Sequence, residues 1–318
     1  MKRLFLVGLL IVVFSMTVAL MGQQAPPAGA RGGAPGAAGA GQGRGGGAAA
    51  PAQPLATIKV RDNLYMIANG GGNTAVFIMT DGVALVDTKN PNNGQGIMDQ
   101  VRMVTNKPVK LIINTHTHAD HTGSNEFFTD NVQFVAHENT KANMVKMPNF
   151  AGDKAKFISG WSFTDSMTVG SGPDQIVLYY FGRAHTNGDS FVVFPAIRAM
   201  HSGDAFASKS FPLVDGPNGG SAVDYGKTLA KAYASIKNVD TIINGHITTG
   251  PTTFDEMKTY SDFNNDFIAW VQDEIKAGKT ADQAAMEYAM PAKYTALGYT
   301  AGRGAAGNIR GAYTELGK

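Results

Sequence analysis

The sequence predicts an α/β protein in which two β-sheets pack together and helices cover their outer faces. Short apolar runs typical of strands occur in both halves of the chain. Stretches with apolar residues at helical spacing separate those runs. Strand runs in two halves, each interrupted by helices, are typical of two packed sheets with helices outside.

Strands dominate the first half. Asp81-Gly82 joins two apolar runs and is a strong hairpin signal, while the glycine-rich residues 69–73 indicate a turn. Residues 94–105 have apolar side chains at helical spacing, and residues 138–147 are expected to form a second helix. The predicted strands of this half are residues 58–60, 64–67, 75–79, 83–86, 109–113 and 132–135.

The second half alternates between strands and helices. Helices are expected at residues 222–236, 253–277 and 281–287, where the chain has helical character. The predicted strands of this half are residues 163–169, 176–181, 191–194, 197–200 and 241–243.

The N-terminal composition predicts three segments. A short basic start precedes an uncharged apolar run at residues 4–21, which is the pattern of a secretory signal. About 20 apolar residues also suffice for a retained membrane anchor, so both alternatives stay open. We expect this signal peptide or anchor at residues 1–22 and a disordered Gly/Ala/Pro-rich linker at 23–54. One folded domain with C-terminal helices is then expected at 55–318, in a periplasmic or secreted protein.

Charge and cysteine content exclude several classes of function. The formal net charge is +2 and no basic cluster stands out, so composition does not support nucleic-acid binding. The chain has no cysteine, which excludes disulfides, thiolate metal ligands and cysteine nucleophiles. Any metal site must therefore be built from histidine and carboxylate side chains.

Three of the seven histidines fall within the six-residue motif His-Thr-His-Ala-Asp-His, at the end of a predicted buried strand. On an extended backbone, His116 and His118 point the same way because side chains alternate with period two. If the backbone turns into a helix near Thr122, Asp120 and His121 are directed to the side and can serve a second ion. Imidazole and carboxylate groups are suitable zinc ligands.

Three further polar residues follow predicted strands of the second half. His185 follows the second of these strands, Asp204 the fourth and His246 the fifth, and each lies near glycine. Sites tend to be built at strand ends and in the loops beyond them. The repeated arrangement predicts that all these side chains lie on one rim of the sheets.

The order His-x-His-x-Asp-His, then His, then Asp, then His resembles the metallo-β-lactamase-fold hydrolase superfamily. The stretch from Asn73 to Asp87 also resembles the opening hairpins of that family. The resemblance covers about Ile58 to His246 and rests on the combined pattern. It implies an αββα four-layer sandwich with a two-metal site in the cleft at one edge of the two sheets.

Matching positions imply two sets of metal ligands. The residues that resemble ligands of the first zinc are His116, His118 and His185. The residues that resemble ligands of the second zinc are Asp120, His121 and His246. Asp204 matches the place where many members have a bridging aspartate. The lactamase subclass with cysteine at that place does not fit, and an aspartate is more similar to glyoxalase II, lactonases and phosphodiesterase-type members.

The implied chemistry is hydrolysis with two Zn²⁺ ions per chain. Two cations about 3.5–4 Å apart can bind one hydroxide, and zinc lowers the pKa of bound water towards about 7. Asp120 is the candidate catalytic residue, because it can orient the hydroxide or relay its proton. We therefore expect an exported dinuclear zinc-dependent hydrolase that uses a metal-bound hydroxide on a small acyl substrate: a β-lactam, lactone, ester or thioester.

Two alternatives use the same residues differently. A glyoxalase II-like thioesterase or an iron-dependent sulfur dioxygenase would share the fold, since these ligands alone do not separate iron from zinc. A non-catalytic binding module is the second alternative, although such a module should have lost ligands. The expected partners are a small-molecule substrate and, through residues 4–21, a membrane; the sequence does not indicate an oligomeric state.

Some polar residues near the motif have two interpretations. Asp87 either orients a ligand imidazole from behind or serves a turn. His137 is interpreted as a helix cap or surface residue, and His201 as structural or as an outer contact of the site. The glycines at 70–72 lack the context of a phosphate-binding loop and predict a loop that overhangs the site.

Overall fold

A seven-stranded sheet is formed by the first part of the chain, and its spatial order follows the chain order. The first four strands form an antiparallel meander, and the fourth to seventh strands are parallel to one another. The strands are β1 (Ala56–Arg61), β2 (Leu64–Ala68), β3 (Thr74–Ile78), β4 (Val83–Val86), β5 (Val109–Ile113), β6 (Gln133–His137) and β7 (Trp161–Phe163).

The second part of the chain forms a six-stranded sheet that is mostly antiparallel. Strands that follow one another along the chain are adjacent in this sheet. The fourth and fifth of them pair in parallel, and all the other pairs are antiparallel. In spatial order the strands are β13 (Thr252–Thr253), β12 (Thr241–Ile243), β11 (Ala199–His201), β10 (Phe191–Phe194), β9 (Ile176–Tyr179) and β8 (Ser166–Val169).

Eight α-helices connect or follow these strands. The first three belong to the crossovers of the first sheet, the fourth precedes β12, and the last four follow β13. They are α1 (Gly94–Arg102), α2 (Ala119–Thr122), α3 (Glu138–Met144), α4 (Ala222–Ser235), α5 (Phe254–Lys276), α6 (Ala281–Glu287), α7 (Ala292–Thr295) and α8 (Gly304–Glu315). These bounds refer to residues 53–129, 131–301 and 304–318, which the computed structural model describes.

Three apolar clusters define four layers. One cluster joins the inner faces of both sheets, a second joins the first sheet to α1 and α3, and a third joins the second sheet to α4 and the C-terminal helices. Strand β5 shows how alternation sets the layers: Leu111 and Ile113 contribute to the inter-sheet cluster, and Ile112 to the cluster with α1. Fully burying each such side chain contributes about 1.5–3 kcal/mol. The predicted αββα sandwich is confirmed.

The predicted strand at residues 163–169 is wrong as a single element. The chain forms β7 in the first sheet, bends at Thr164 and Asp165, and continues as β8 in the second sheet. Local alternation does not reveal a change of sheet, because both pieces have strand character and only their partners differ.

The elements after residue 287 were not predicted. Helix α8 contains three glycines, Gly304, Gly307 and Gly311, which lower intrinsic helix propensity by about 1 kcal/mol each relative to alanine. Its buried residues, such as Ile309 and Tyr313, belong to the cluster shared with the second sheet. Tertiary packing therefore maintains a helix that local propensity opposes.

The predicted segments at 1–22 and nearly all of 23–54 lie outside the described residues. Among the described helices, none combines the length and apolar character needed to cross a bilayer.

Candidate metal centre

Three histidine rings meet at the end of the two sheets. His116 and His118 follow β5, His118 has an extended backbone (φ −62°, ψ 147°), and His185 follows β9. Their inward nitrogens lie within 4.8 Å of one another, and His118 Nδ1 is 2.9 Å from His185 Nε2. His116 Nε2 is buried and has no hydrogen-bond partner among the described residues. A buried unpaired nitrogen is costly, and a metal ligand role would explain it. We call these three residues the first cluster.

The outward nitrogens of the first cluster are all occupied by acceptors. His118 Nε2 donates to the Asp215 carboxylate at 2.6 Å, and His185 Nδ1 donates to the Leu213 carbonyl at 2.6 Å. His116 Nδ1 lies 3.0 Å from the hydroxyl of the preceding threonine. These acceptors favour the tautomer with the proton on the outward nitrogen, which leaves the inward nitrogen of each ring with a lone pair for a metal.

A second cluster lies beside the first and consists of Asp120, His121 and His246. The short helix α2 begins directly after His118 and turns its first residues sideways, which is the condition stated above for Asp120 and His121 to serve a second ion. Asp120 Oδ2 lies 3.3 Å from His246 Nε2 and 3.7 Å from His121 Nε2. The two imidazole Nε2 atoms are 3.4 Å apart. Two nitrogens and one carboxylate oxygen therefore face a common point.

Asp204 lies between the two clusters. Its carboxylate oxygens are 3.2 Å from Nε2 of His121, 3.2 Å from Nε2 of His246 and 3.7 Å from Nε2 of His185. The side chain is 9% exposed. All seven residues singled out from the sequence are thus brought together, with the aspartate placed to reach both clusters.

The electrostatics of the second cluster favour a cation. Burial opposes protonation of His121, but the charges of Asp204 and Asp87 outweigh it and raise the pKa of His121 well above its usual value. Burial also opposes protonation of His246, and Asp204 and Asp120 raise its pKa to about 9. The first cluster differs, because burial lowers the pKa of His116 well below its usual value and keeps it neutral. A divalent cation would supply the positive charge that three carboxylates stabilise here.

The sequence profile described as the Metallo-beta-lactamase superfamily matches residues 68–246, more than half of the 318-residue chain. The chain belongs to the metallo-beta-lactamase superfamily. It is a metal-dependent hydrolase of this superfamily, and the predicted family is confirmed.

Individual proteins of known name show more limited similarity. Metallo-beta-lactamase IND-1 from Chryseobacterium indologenes is 24% identical over 196 residues, covering 59% of this chain and 80% of the lactamase. A sec-alkylsulfatase from Pseudomonas sp. has a similar structure, with a TM-score of 0.69 and 15% identity over 82% of this chain. The chain spans only half of that sulfatase, 50% of its length. A metallo-beta-lactamase from Pontibacter korlensis gives a TM-score of 0.56 at 16% identity, covering 66% of this chain and 98% of the lactamase.

Asp87 organises two histidines of this metallo-beta-lactamase superfamily site from behind. Its carboxylate accepts a hydrogen bond from His121 Nδ1 at 2.6 Å. It also accepts from the backbone N–H of Thr115 at 2.8 Å and from the Thr115 hydroxyl at 2.7 Å. That hydroxyl contacts His116. Asp87 therefore makes the orienting contact that the first interpretation requires. It also lies in a turn with a left-handed backbone (φ 64°), as the second interpretation requires.

The two remaining histidines have structural contacts. His137 caps α3 by accepting a hydrogen bond from the backbone N–H of Asn139, so the interpretation as a helix cap holds. His201 Nε2 donates to the carbonyl of Asn73 at 3.0 Å, and its Nδ1 accepts from the N–H of Gly203. These bonds join the glycine loop to the turn before Asp204.

The glycine loop packs directly against the second cluster. Gly72 N donates to the Asp120 carbonyl at 2.8 Å, and a Cβ at this glycine would overlap the His121 ring. Asn73 holds the turn around His246, because its side-chain amide donates to the carbonyls of Asn244 and Ile247. The expected loop is present, whereas the role of Asn73 was missed because no sequence spacing links it to a turn 171 residues away.

Lys89 is a buried cation that sequence reasoning also missed. Its side chain is fully buried and Nζ donates to the carbonyls of Ile67 and Gly72, both at 2.8 Å. Burial lowers the pKa of Lys89 to about 7, against the opposing charge of Asp87. Lysine is usually exposed, so only the tertiary structure reveals that this ammonium group joins β2 to the glycine loop.

The depressed pKa of Lys89 predicts a pH-dependent stability. Between about pH 7 and pH 10.5 the unfolded chain binds the proton more strongly than the folded chain, so the free energy of unfolding rises with pH. Lys89→Met lacks this contribution. We expect the stability of the wild type, relative to Lys89→Met, to increase on the order of a few kcal/mol from pH 7 to pH 10. Urea unfolding of both proteins at several pH values measures this difference in the free energy of unfolding.

Lys146→Met is the control, because Lys146 is exposed. Its stability should stay parallel to that of the wild type across the same pH range. A constant difference between the wild type and Lys89→Met would show that Lys89 stays protonated in the folded protein.

Proposed function

We propose that this protein is an exported hydrolase that binds two zinc ions and acts on a small acyl substrate. The observation that carries the proposal is the convergence of seven histidine and aspartate side chains, among which His116 Nε2 has no hydrogen-bond partner within the part of the chain that the structure describes. The first cluster would hold one ion, the second cluster would hold the other, and Asp204 would contact both. Nitrogen and carboxylate ligands with no thiolate suit zinc, and iron is the alternative.

The chain's own residues have defined tasks in such a reaction. Bound divalent cations supply a nucleophile at neutral pH and polarise the oxygen of the bond under attack. Burial opposes ionisation of Asp120, but the hydrogen bond with His246 and the charge of His121 lower its pKa to about 2. Its side chain is 34% exposed, so an ionised carboxylate borders the cleft. Asp120 would accept the proton of the attacking water, while Asp87 and Asp215 keep the imidazole rings oriented.

Hydrolysis of a sulfate ester is a second candidate activity. The structural likeness to the sec-alkylsulfatase covers 82% of this chain, whereas the likeness to the Pontibacter lactamase covers 66%. The same arrangement of two cation sites would stabilise charge on a carbonyl oxygen or on a sulfate leaving group. The acyl and sulfate candidates therefore differ in the groups around the cleft rather than in the metal ligands.

Export rests on the sequence of residues 1–22, which resembles a secretory signal or anchor. Residues 23–54 would act as the tether between that segment and the enzyme. A periplasmic or secreted location supports substrates that occur outside the cytoplasm, among them β-lactams.

Metal analysis and a substrate panel test the proposal together. Protein purified without added metal should contain close to two equivalents of zinc, and a chelator should abolish turnover until zinc is restored. The panel contains nitrocefin, an acyl-homoserine lactone, a thioester, a phosphodiester and a secondary alkyl sulfate. Turnover of an acyl compound supports the first candidate, and turnover of the alkyl sulfate alone supports the second. Bound iron with oxygen consumption would replace both by the dioxygenase, and a protein without metal or turnover would contradict the proposal.

A further inference from the structure

A loop between Asp204 and α4 supplies two of the outer contacts of the first cluster. We call residues 209–221 the strap. Within it, the Asp215 carboxylate accepts from His118 Nε2 and the Leu213 carbonyl accepts from His185 Nδ1, both at 2.6 Å. Two of the three rings of the first cluster therefore take their orientation from this loop.

The strap is attached to the C-terminal helices on its other side. Asn308 of α8 is 7% exposed and donates from Nδ2 to the Pro212 carbonyl at 2.9 Å. Near the end of the same helix, the Glu315 carboxylate accepts from the Ser221 hydroxyl at 2.5 Å and from the N–H of Ala222 at 2.8 Å. One helix thus holds the strap immediately before Leu213 and at its C-terminal end.

Further contacts fix the beginning of the strap. Thr300, which precedes α8, donates from its backbone N–H to the Lys209 carbonyl at 3.1 Å. The ring of Phe211 packs against Phe263 and Phe267 of α5, with centroids 4.9 and 4.7 Å away. The strap is therefore bound at several points to helices that lie after residue 246, where the family match ends.

The second cluster takes its outer contacts from other parts of the fold. His121 is held by Asp87, which lies at the end of β4. The backbone N–H of His246 donates to the carbonyl of Ala207, which lies outside the strap. The turn that contains His246 is held by the side chain of Asn73. A displacement of the strap would thus move groups that contact the first cluster and leave those of the second in place.

We propose that α8 is a positioning element for the first metal ion, and that Asn308 and Glu315 set the affinity of that ion by fixing the strap. The inference rests on the proposed two-metal function. Outer hydrogen-bond partners of metal-ligating histidines typically change metal affinity by about 10–100-fold when removed. Asn308 and Glu315 act one step further out, through Asp215 and Leu213, so about tenfold is expected for each.

The test measures the affinity of each ion separately. The metal-free full chain is titrated with Zn²⁺ against a competing chelator, and with Co²⁺, whose visible spectrum reports each site. Asn308→Ala and Glu315→Ala should weaken the first ion about tenfold and leave the second ion within about threefold. Glu315→Gln keeps an acceptor for the strap and should restore most of the affinity. Arg310→Met is the matched control on α8, because Arg310 pairs with Asp282 at the surface and its side chain is 57% exposed.

A double-mutant cycle with Asp215→Asn shows whether the effect passes through the strap. If it does, Glu315→Ala should add less to the loss caused by Asp215→Asn than it costs alone, because only the Leu213–His185 contact remains to be lost. Equal weakening of both ions, no weakening, or full additivity in a folded protein would each overturn the positioning role. A wild-type chain that binds fewer than two ions would instead contradict the proposed function, so the two failures are distinguishable.

Discussion

Asp120→Asn should lower kcat/KM by about 10²–10⁴-fold while the protein stays folded. Asparagine keeps the shape of the side chain but loses the charge that accepts the proton. The wild-type pKa of about 2 means that this carboxylate is ionised across the neutral range, so the loss should be present at every pH from 5 to 9. Steady-state kinetics on the substrate identified by the panel, together with urea unfolding, measures both parts of the prediction.

The control for this substitution is Asp62→Asn, because the Asp62 side chain is 90% exposed in the turn between β1 and β2. It should leave kcat/KM unchanged. Metal content is measured for each variant, since Asp120 also belongs to the second cluster. If Asp120→Asn retained both ions and full activity, Asp120 could not be the proton acceptor.

Gly245→Ala should impair both metal binding and stability. Gly245 lies between β12 and His246, where its carbonyl accepts from the N–H of Asn73 at 2.7 Å. A Cβ at this position would overlap the carboxylate of Asp204 and would lie 3.0 Å from the carbonyl oxygen of Gly203. Because Asp204 and Gly203 are both buried, neither can move aside easily to relieve the overlap. We expect a loss of about 1–3 kcal/mol in the free energy of unfolding and a marked loss of metal affinity.

The same substitution elsewhere gives a control of opposite sign. Gly311 lies in the middle of α8, and a Cβ there meets nothing within 4 Å. Gly311→Ala should therefore stabilise the protein by about 0.5–1 kcal/mol through helix propensity. Chemical unfolding and zinc titration of both variants complete the comparison. Normal zinc affinity in Gly245→Ala would mean that Asp204 can move without loss of its contacts.

Local patterns were sufficient for most elements that position the site. The strand at 109–113 was predicted with the observed bounds, because its apolar run ends where the polar motif begins. A helical turn near Thr122 was stated as the condition under which Asp120 and His121 could serve a second ion, and α2 (Ala119–Thr122) provides that turn. These predictions concern residues close together in the chain, where side-chain period and turn chemistry act directly.

Contacts between distant residues could not be predicted in this way. The single strand expected at 163–169 is divided between two sheets, since pairing partners decide which sheet a strand joins. Asp215 reaches His118 across 97 residues, and Lys89 reaches the glycine loop only because the fold buries its stem. Each of these contacts depends on packing between elements, which the local sequence pattern does not predict.

The sequence by itself determined which side chains are available to hold a metal: histidine and carboxylate groups without thiolate, placed after strands in an order that resembles its superfamily. Tertiary structure alone decided how those side chains are held. The outward nitrogen of His118 is held by Asp215 of the strap, and α8 holds the strap although its glycines oppose a helix. The physical reason is that ligand identity is a property of single residues, whereas ligand orientation requires hydrogen bonds between residues that only folding brings together.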